Sequence, residues 1–364
     1  MRIIITGCDG YIGWPLFLKF ILTNKKDNIL GIDNFSRRKW VKEVRANSAI
    51  KIFSMSERLK EVKNKFRRKN YRFIKGDLTN KKFVLKTIKN FKPDVILHLA
   101  AQPSAPYANS SYQRSHFTIK NNNISTLNIL WSLRELNLEK KTLFVTTTTT
   151  GVYGAPDFEI PEGFIQPKKF KIPFSNLGGS WYHITKSNDI NHLWLANKLW
   201  NSSIIDFRTA ITIGASTIET KLSKKFSNRF DCDFYFGVVV NRFIFNSITN
   251  RPLLIYGKGE QKKPFIHLED AVTSLFNSVN IKANSKFKVY NQFSEALSIT
   301  QIAKIIKLSH LKHNRKISIK KIKNPRKENE QHKMKMANKE FLKILKRKPF
   351  KLVDAINNTI KDLL

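Results

Sequence analysis

Tyr182 and Lys186 stand four residues apart in Tyr182-His183-Ile184-Thr185-Lys186, at the start of a helical pattern. That spacing puts both side chains on one helix face. A free phenol, with a pKa of about 10, is a poor base at neutral pH. A neighbouring ammonium favours the phenolate. The pair then forms the proton acceptor that oxidation of a secondary alcohol needs, provided a hydride acceptor lies beside it. A hydroxyl to hold the alcohol oxygen is offered by Val145-Thr146-Thr147-Thr148-Thr149-Thr150-Gly151-Val152-Tyr153-Gly154. Threonine is β-branched and suits a strand, so this tract reads partly as strand and partly as active site.

The hydride acceptor has its own signature. Thr6-Gly7-Cys8-Asp9-Gly10-Tyr11-Ile12-Gly13 is a G-x-x-G-x-x-G turn between an apolar strand and a helix. Gly7 permits the tight turn, Gly10 lets backbone approach a pyrophosphate, and Gly13 lets helix and strand pack closely. The helix N-terminus adds free N–H groups for the phosphates. Asp33 lies twenty residues after Gly13, at the end of the second strand. Its carboxylate can accept from a ribose diol and repels a 2′-phosphate, which favours NAD over NADP. Arg37 and Arg38 keep NADP open. Gly76-Asp77-Leu78 ends a third strand, where an adenine ring would lie. Asp77 there can bind the base edge or cap a helix. Ala100-Ala101-Gln102 supplies small residues that let a cofactor pass close to the backbone. No metal is expected.

A frame must bring these groups together. Apolar runs at Ile3–Ile5, Ile29–Ile32, Tyr71–Ile74, Val95–Leu99, Leu143–Thr148 and Ser203–Arg208 alternate with helical stretches. Such alternation implies an α/β, Rossmann-type, doubly wound parallel sheet. We assign 1–210 to this NAD-binding domain, with a basic, helical insertion at 36–70. Residues 211–364 read as a smaller α/β substrate-binding portion, partly interleaved with the first, over the edge where such sheets bind ligands.

The 364 residues carry 66 Lys and Arg against 27 Asp and Glu, a net charge of +39. The basic runs are not interleaved with aromatics in a nucleic-acid motif. They read as solvated faces that help attract an anionic ligand, with no specific nucleic acid. Two cysteines cannot build a disulfide framework. No segment has the length and apolarity of a membrane span, and the N-terminus lacks a signal-peptide pattern. A soluble cytoplasmic protein without membrane insertion is expected.

The glycine turn, the V-Y-G turn at 152–154 and the Tyr182–Lys186 pair together resemble the extended short-chain dehydrogenase/reductase superfamily, the NAD-dependent epimerases and dehydratases. In that superfamily the catalytic hydroxyl lies four residues before the tyrosine of the turn, which selects Thr149. The resemblance is nearest to the UDP-sulfoquinovose synthase branch, linked to sulfolipid synthesis, and runs from Ile3 to about Leu345. It is carried by Gly7-Cys8-Asp9-Gly10-Tyr11-Ile12-Gly13-Trp14, Asp33-Asn34 with Arg37-Arg38, Ser104-Ala105-Pro106-Tyr107 and Tyr182-His183. Asn228-Arg229-Phe230-Asp231, Asn241-Arg242-Phe243, Asn291-Gln292-Phe293 and Asn324-Pro325-Arg326 extend it.

The resemblance implies NAD as cofactor, with UDP-glucose and sulfite as substrates. Thr149, Tyr182, Lys186 and His183 would be catalytic, His183 serving proton transfer near C5 and C6. Gly7, Asp9, Gly10, Tyr11, Ile12, Gly13, Asp33, Asn34, Arg37, Asp77, Leu78, Ala100 and Asn122 would serve the cofactor, with Tyr182 and Lys186. Gln102 and Asn241 would serve the substrate beside Thr149 and Tyr182, and Gln261, Lys263 and Arg326 its phosphates. A homodimer through helices flanking the sheet is implied as well. Departures are specific: Pro103 replaces an arginine beside the sugar, 261–263 read Gln-Lys-Lys for Q-T-R, and 208–210 read Arg-Thr-Ala for N-Q-G. Pro103 favours the alternative of 4-epimerisation or 4,6-dehydration. Against dehydration, Thr150 and Gly151 stand where an acidic pair would follow the hydroxyl. The charge motivates a third reading, a basic RNA-binding protein on a retired fold.

Overall fold

Ile3, Ile4 and Ile5 are at most 1% exposed. Alternation of inward and outward side chains gives such a run only when both faces of a strand are covered, as in a parallel sheet under helices on each side. The computed structural model describes residues 1–23, 25–154, 156, 158–165, 172–173, 178–311, 316–324 and 334–364. Its main sheet holds β1 (Arg2–Thr6), β2 (Asn28–Asp33), β3 (Tyr71–Lys75), β4 (Val95–His98), β5 (Leu143–Thr149), β8 (Ser203–Thr209) and β12 (Phe287–Gln292). The spatial order is β12-β8-β5-β4-β1-β2-β3, and every pairing is parallel. The strand order reverses between β1 and β4, so their C-terminal ends open a ligand crevice.

Helices cover both faces. On one side α1 (Gly13–Thr23), α9 (Leu268–Ser278) and α11 (Lys339–Leu345) enclose a core containing Phe17, Phe20, Val272, Leu275 and Phe341. On the other lie α4 (Lys81–Phe91), α6 (Tyr112–Glu135) and α7 (Trp181–Trp200), packed on Ile96, Phe144 and Ile204. The basic insertion is helical, as expected, in α2 (Ser36–Glu43) and α3 (Met55–Phe66). Ser54 and Glu57 form a reciprocal capping box at the start of α3. Trp40 and Val41 of α2 pack with Tyr107, in the one-turn α5 (Ala105–Ala108), and with Phe236.

The remaining elements form the second lobe. They are β9 (Ile211–Ile213), β10 (Leu253–Tyr256), β11 (Lys262–His267), β13 (Glu295–Ser298) and β14 (Ile319–Ile322), whereas the antiparallel pair β6–β7 (Phe164–Ile165 with Ile172–Pro173) joins the main-sheet core through Phe164 and Ile165. β11 joins β9 in parallel and β13 antiparallel, and β10 pairs with β14. α8 (Val239–Ile248), α10 (Ile299–Leu311) and α12 (Leu352–Leu363) enclose a separate core around Phe265 and Ile255. The span 211–364 is not confined to this lobe. β12 covers the β8 edge of the main sheet, and α9 and α11 complete its core. β8 is buried along its whole length, so it requires a neighbour on that side. Among the described residues no helix is long and apolar enough to cross a membrane.

Candidate active site

The crevice is a cleft of about 1250 Å³ between the C-terminal ends of the main strands and the second lobe. The glycine turn forms its floor. Gly7 has φ 72°, and a Cβ there would sit 2.7 Å from the Ala100 backbone nitrogen. A Cβ on Gly13 would sit 1.9 Å from the Gly7 carbonyl oxygen. Only glycine permits both approaches, and the result is a bare backbone cradle opening α1. That cradle fits a dinucleotide pyrophosphate. Tyr11, Ile12, Asn34, Asp77, Leu78 and Ala100 also line the cleft. Tyr11 donates its hydroxyl to the Gly214 carbonyl at 2.5 Å, tying the turn to the second lobe. Asn34 Oδ1 accepts from Ser36 N–H as α2 begins. Asp77 does not cap α4, whose cap is Asn80. It accepts from the Thr79 N–H and hydroxyl, and this holds the turn that faces the cleft.

Asp33 faces the cleft with its oxygens already engaged by the Asp9 and Phe35 N–H groups. Burial, then the nearby Asp9 charge, pushes its carboxyl up to about 6. Arg37 lines the cleft close by, but its Nη2 bonds Asp231 at 2.6 Å.

β5 and α7 bring the reacting groups together. Thr146 donates to the His98 carbonyl and Thr148 to Asp206 Oδ1 at 2.7 Å, so both hydroxyls serve the sheet. Thr149 ends the strand, accepts from Gly151 N–H at 3.2 Å, and is hydrogen-bonded to the Tyr182 phenol. α7 starts one residue before Tyr182, where Ser180 caps it by accepting from His183 N–H. Lys186, 4% exposed, lines the cleft one turn further on, with Nζ 3.5 Å from Asp189 Oδ2. This alters the expected electrostatics. Burial, then the Asp189 carboxylate, raises the Tyr182 phenol above its usual value, and the Thr149 bond opposes them. Asp189 takes up the Lys186 charge, so without ligand Tyr182 is a protonated phenol rather than a phenolate.

His183 packs edge-on against Gly151, and its Nδ1 has no hydrogen-bond partner among the described residues. Burial and the Lys263 charge push its imidazole down to about 4, so it is neutral at pH 7 and able to accept a proton. Lys263, Asn241 and Gln261 line the substrate side. Asn241 and Gln261 each keep a buried oxygen without a partner. An orphan acceptor suits a hydroxyl or imide N–H, and the Gln261 amide also carries the N–H donors that its expected phosphate role needs.

Three expected site residues do not line the cleft. The Asp9 carboxylate is turned away, held by Arg38 at 2.6 and 2.7 Å and by Arg58 at 3.1 Å. Gln102 is fully buried, its amide folded onto Ser104 and Thr118. Asn122 bonds the Gln102 backbone and the Thr185 hydroxyl, and so braces the 102–104 loop against α7. Each satisfies buried polar groups behind the wall. Arg326 lies outside the described residues. Sequence reasoning missed Asp189, whose signal was its position three residues after Lys186 on the same helix. It also missed the buried Asp206–Arg208 pair under the threonine strand, 0% exposed on both sides, which left no pattern beyond a charge in an apolar run.

Comparison with known proteins agrees with this geometry. Residues 4–173 match the GDP-mannose 4,6 dehydratase family. The chain is 35% identical to the UDP-sulfoquinovose synthase of Sulfolobus acidocaldarius, over 91% of this chain and 84% of that protein. It is 30% identical to the chloroplastic UDP-sulfoquinovose synthase of Spinacia oleracea, over 91% of this chain and 69% of that one. This chain belongs to the UDP-sulfoquinovose synthase family. The fold is shared more widely: UDP-glucuronic acid 4-epimerase from Bacillus cereus, solved with UDP-glucuronic acid and NAD, superposes with a TM-score of 0.72 at 20% identity. That structure covers 100% of this chain and 99% of its own. Pro103, which stands where the resemblance implies an arginine, lines the cleft.

Proposed function

We propose that this protein is an NAD-dependent enzyme converting UDP-glucose and sulfite to UDP-sulfoquinovose. The observation that carries the reading is the meeting of Thr149, Tyr182 and His183 at one wall of a cleft floored by the glycine cradle. The glycine cradle and Asp33 would hold NAD, which would supply the hydride acceptor for C4 of the sugar and, once reduced, the hydride donor. Thr149 holds the C4 oxygen, and Tyr182 takes its proton as C4 is oxidised. The 4-ketone acidifies C5–H. Neutral His183 accepts that proton and delivers one to the departing C6 hydroxyl, so that water leaves. Bisulfite adds at C6 of the enone, its proton passes through His183 to C5, and Tyr182 returns the proton to the C4 oxygen. Lys186 positions the cofactor ribose, Lys263 the anionic end of the substrate, and Asn241 and Gln261 its neutral polar groups.

Homodimerisation through α6 and α7 is part of the proposal. These paired helices leave Trp131, Leu195 and Leu199 exposed, an apolar surface suited to a second copy. The free cysteines, Cys8 and Cys232, are in keeping with a cytoplasmic setting.

The test is mass spectrometry of the product formed from UDP-glucose and NAD with and without sulfite. A sulfite-dependent product heavier by the elements of sulfite minus water supports the synthase. An isomer or dehydrated ketosugar, indifferent to sulfite, moves the function to a 4-epimerase or 4,6-dehydratase, the reading that Pro103 on the cleft wall favours. No turnover, with tight salt-sensitive RNA binding, favours the binding-protein reading.

A further inference from the structure

Arg37 and Arg38 follow Asp33 closely, where arginines in other dinucleotide sites take up a 2′-phosphate. Neither guanidinium is available for that work here. Arg37 spans from α2 to the second lobe, with Nη2 2.6 Å from Asp231 Oδ2 and its plane 3.9 Å over the Phe236 ring. Its side chain is 14% exposed and that of Asp231 5%. Arg38 is absent from the cleft wall, bonded through two nitrogens to Asp9 and through Nη2 to the Phe53 carbonyl. Two further buried guanidiniums back the same carboxylates, Arg58 on Asp9 and Arg229 at 3.6 Å from Asp231.

We infer that Asp231, a residue of the second lobe, is a coenzyme-specificity residue: it holds Arg37 against Phe236 and so denies NADP its phosphate partner. The inference rests on the NAD reading above and goes beyond the repulsion expected of Asp33. A dianionic phosphate at the ribose would need Arg37 to leave a buried ion pair and a ring stack. Leaving Asp231 without that partner is costly. Arg37 keeps one amino group, Nη1, without a hydrogen-bond partner. That one nitrogen can serve a neutral hydroxyl, but not the two-nitrogen grip a phosphate takes while Nη2 stays on Asp231. Asp9 performs the same service on Arg38, away from the cleft. NADP is therefore excluded twice, by a carboxylate that repels it and by a cation that cannot reach it.

The test is calorimetric titration of the full-length protein with NAD and with NADP at pH 8. Wild type binds NAD and not NADP. In Asp33→Asn the repulsion is gone, yet NADP tightens by no more than about threefold, because Arg37 stays on Asp231. Adding Arg37→Met to that variant leaves NADP affinity within about twofold. Adding Asp231→Asn instead frees Arg37 and tightens NADP about tenfold or more. The gain disappears when Arg37→Met is also present.

The inference is overturned if Asp231→Asn brings no gain, or if Arg37→Met weakens NADP in the Asp33→Asn protein. The second comparison decides the matter even where Asp231→Asn fails to fold. Wild type that binds neither coenzyme overturns the NAD reading itself, and the inference with it. Wild type that binds NADP as well as NAD overturns the inference alone.

Discussion

Gly151 and His183 are in such close contact that a Cβ on Gly151 would lie 2.3 Å from His183 Nε2. Gly178 closes the other side, where a Cβ would lie 2.5 Å from the His183 Cβ. The imidazole therefore has one place to stand. Gly151→Ala displaces it without touching Thr149 or Tyr182. Turnover falls roughly tenfold to a hundredfold, since small misplacements of a reacting group cost that much. Exchange of the sugar C5 hydrogen with deuterated solvent falls with it, while oxidation at C4, followed by cofactor absorbance, persists. If C5 exchange is unchanged, His183 is not the C5 base.

Tyr182→Phe removes the proton acceptor for the C4 hydroxyl. Activity drops by about two to four orders of magnitude, and the melting temperature stays within a few degrees of wild type.

Thr148 and Thr149 are adjacent and chemically identical, yet they fail differently. Thr149→Val lowers turnover by about tenfold or more and leaves urea unfolding nearly unchanged. Thr148→Val strips a hydroxyl from buried Asp206 and lowers stability by about 1–3 kcal/mol, with a smaller effect on turnover. Denaturation and rate measurements on both variants separate the two roles.

Asp189 raises the Tyr182 phenol through its negative charge. Asp189→Asn removes that charge, so the phenol loses its proton at lower pH. The rising limb of the kcat/KM–pH profile shifts down by about half a unit to one unit. No shift would mean that the phenol does not titrate in the rate-controlling step.

Asp33 carries a carboxyl pushed up to about 6. Its ionised form is the one that accepts from both ribose hydroxyls, so NAD affinity falls as pH drops below about 6, and Asp33→Asn flattens that dependence. Stability runs the other way. A carboxyl raised in the folded state stabilises it below the unfolded value, near 3.8, and this contribution is lost as pH rises through 6. Urea unfolding of the ligand-free protein between about pH 4 and 7 checks this sign, since stability is expected to fall as Asp33 ionises.

The cofactor side was legible because its requirements are local. A glycine turn, a strand end and an acid at fixed spacing are set by backbone geometry within one βαβ unit, and the chain writes them contiguously. The Thr149–Tyr182–Lys186 grouping was legible for a related reason, since each sits at the end of an element recognisable from periodicity and turn residues. Polar groups whose partners lie far along the chain were not legible. Asp9 looked like a cofactor ligand because it sits inside the turn. Its partners at 38 and 58 are contributed by the insertion, and no spacing rule links them. Gln102 and Asn122 were read as site residues from the family resemblance, but their amides satisfy buried backbone where loop 102–104 meets α7. The placement of β12 was hidden too, because a six-residue strand of mixed apolar and polar residues carries no mark of the sheet it will join.

That last strand bears on how the chain matures on the ribosome. β8 and then α9 are made before β12, and α11, which helps seal the underside of the sheet, follows later still. At elongation rates of about 5–20 residues per second, the flank of β8, with its apolar residues and its Asp206–Arg208 pair, waits several seconds for its neighbour. During that interval an emerging N-terminal portion has an open parallel edge, the kind of surface that recruits other chains. A fragment ended near residue 210 would keep that edge for good, and is expected to be insoluble even though it contains the whole glycine turn and Tyr182.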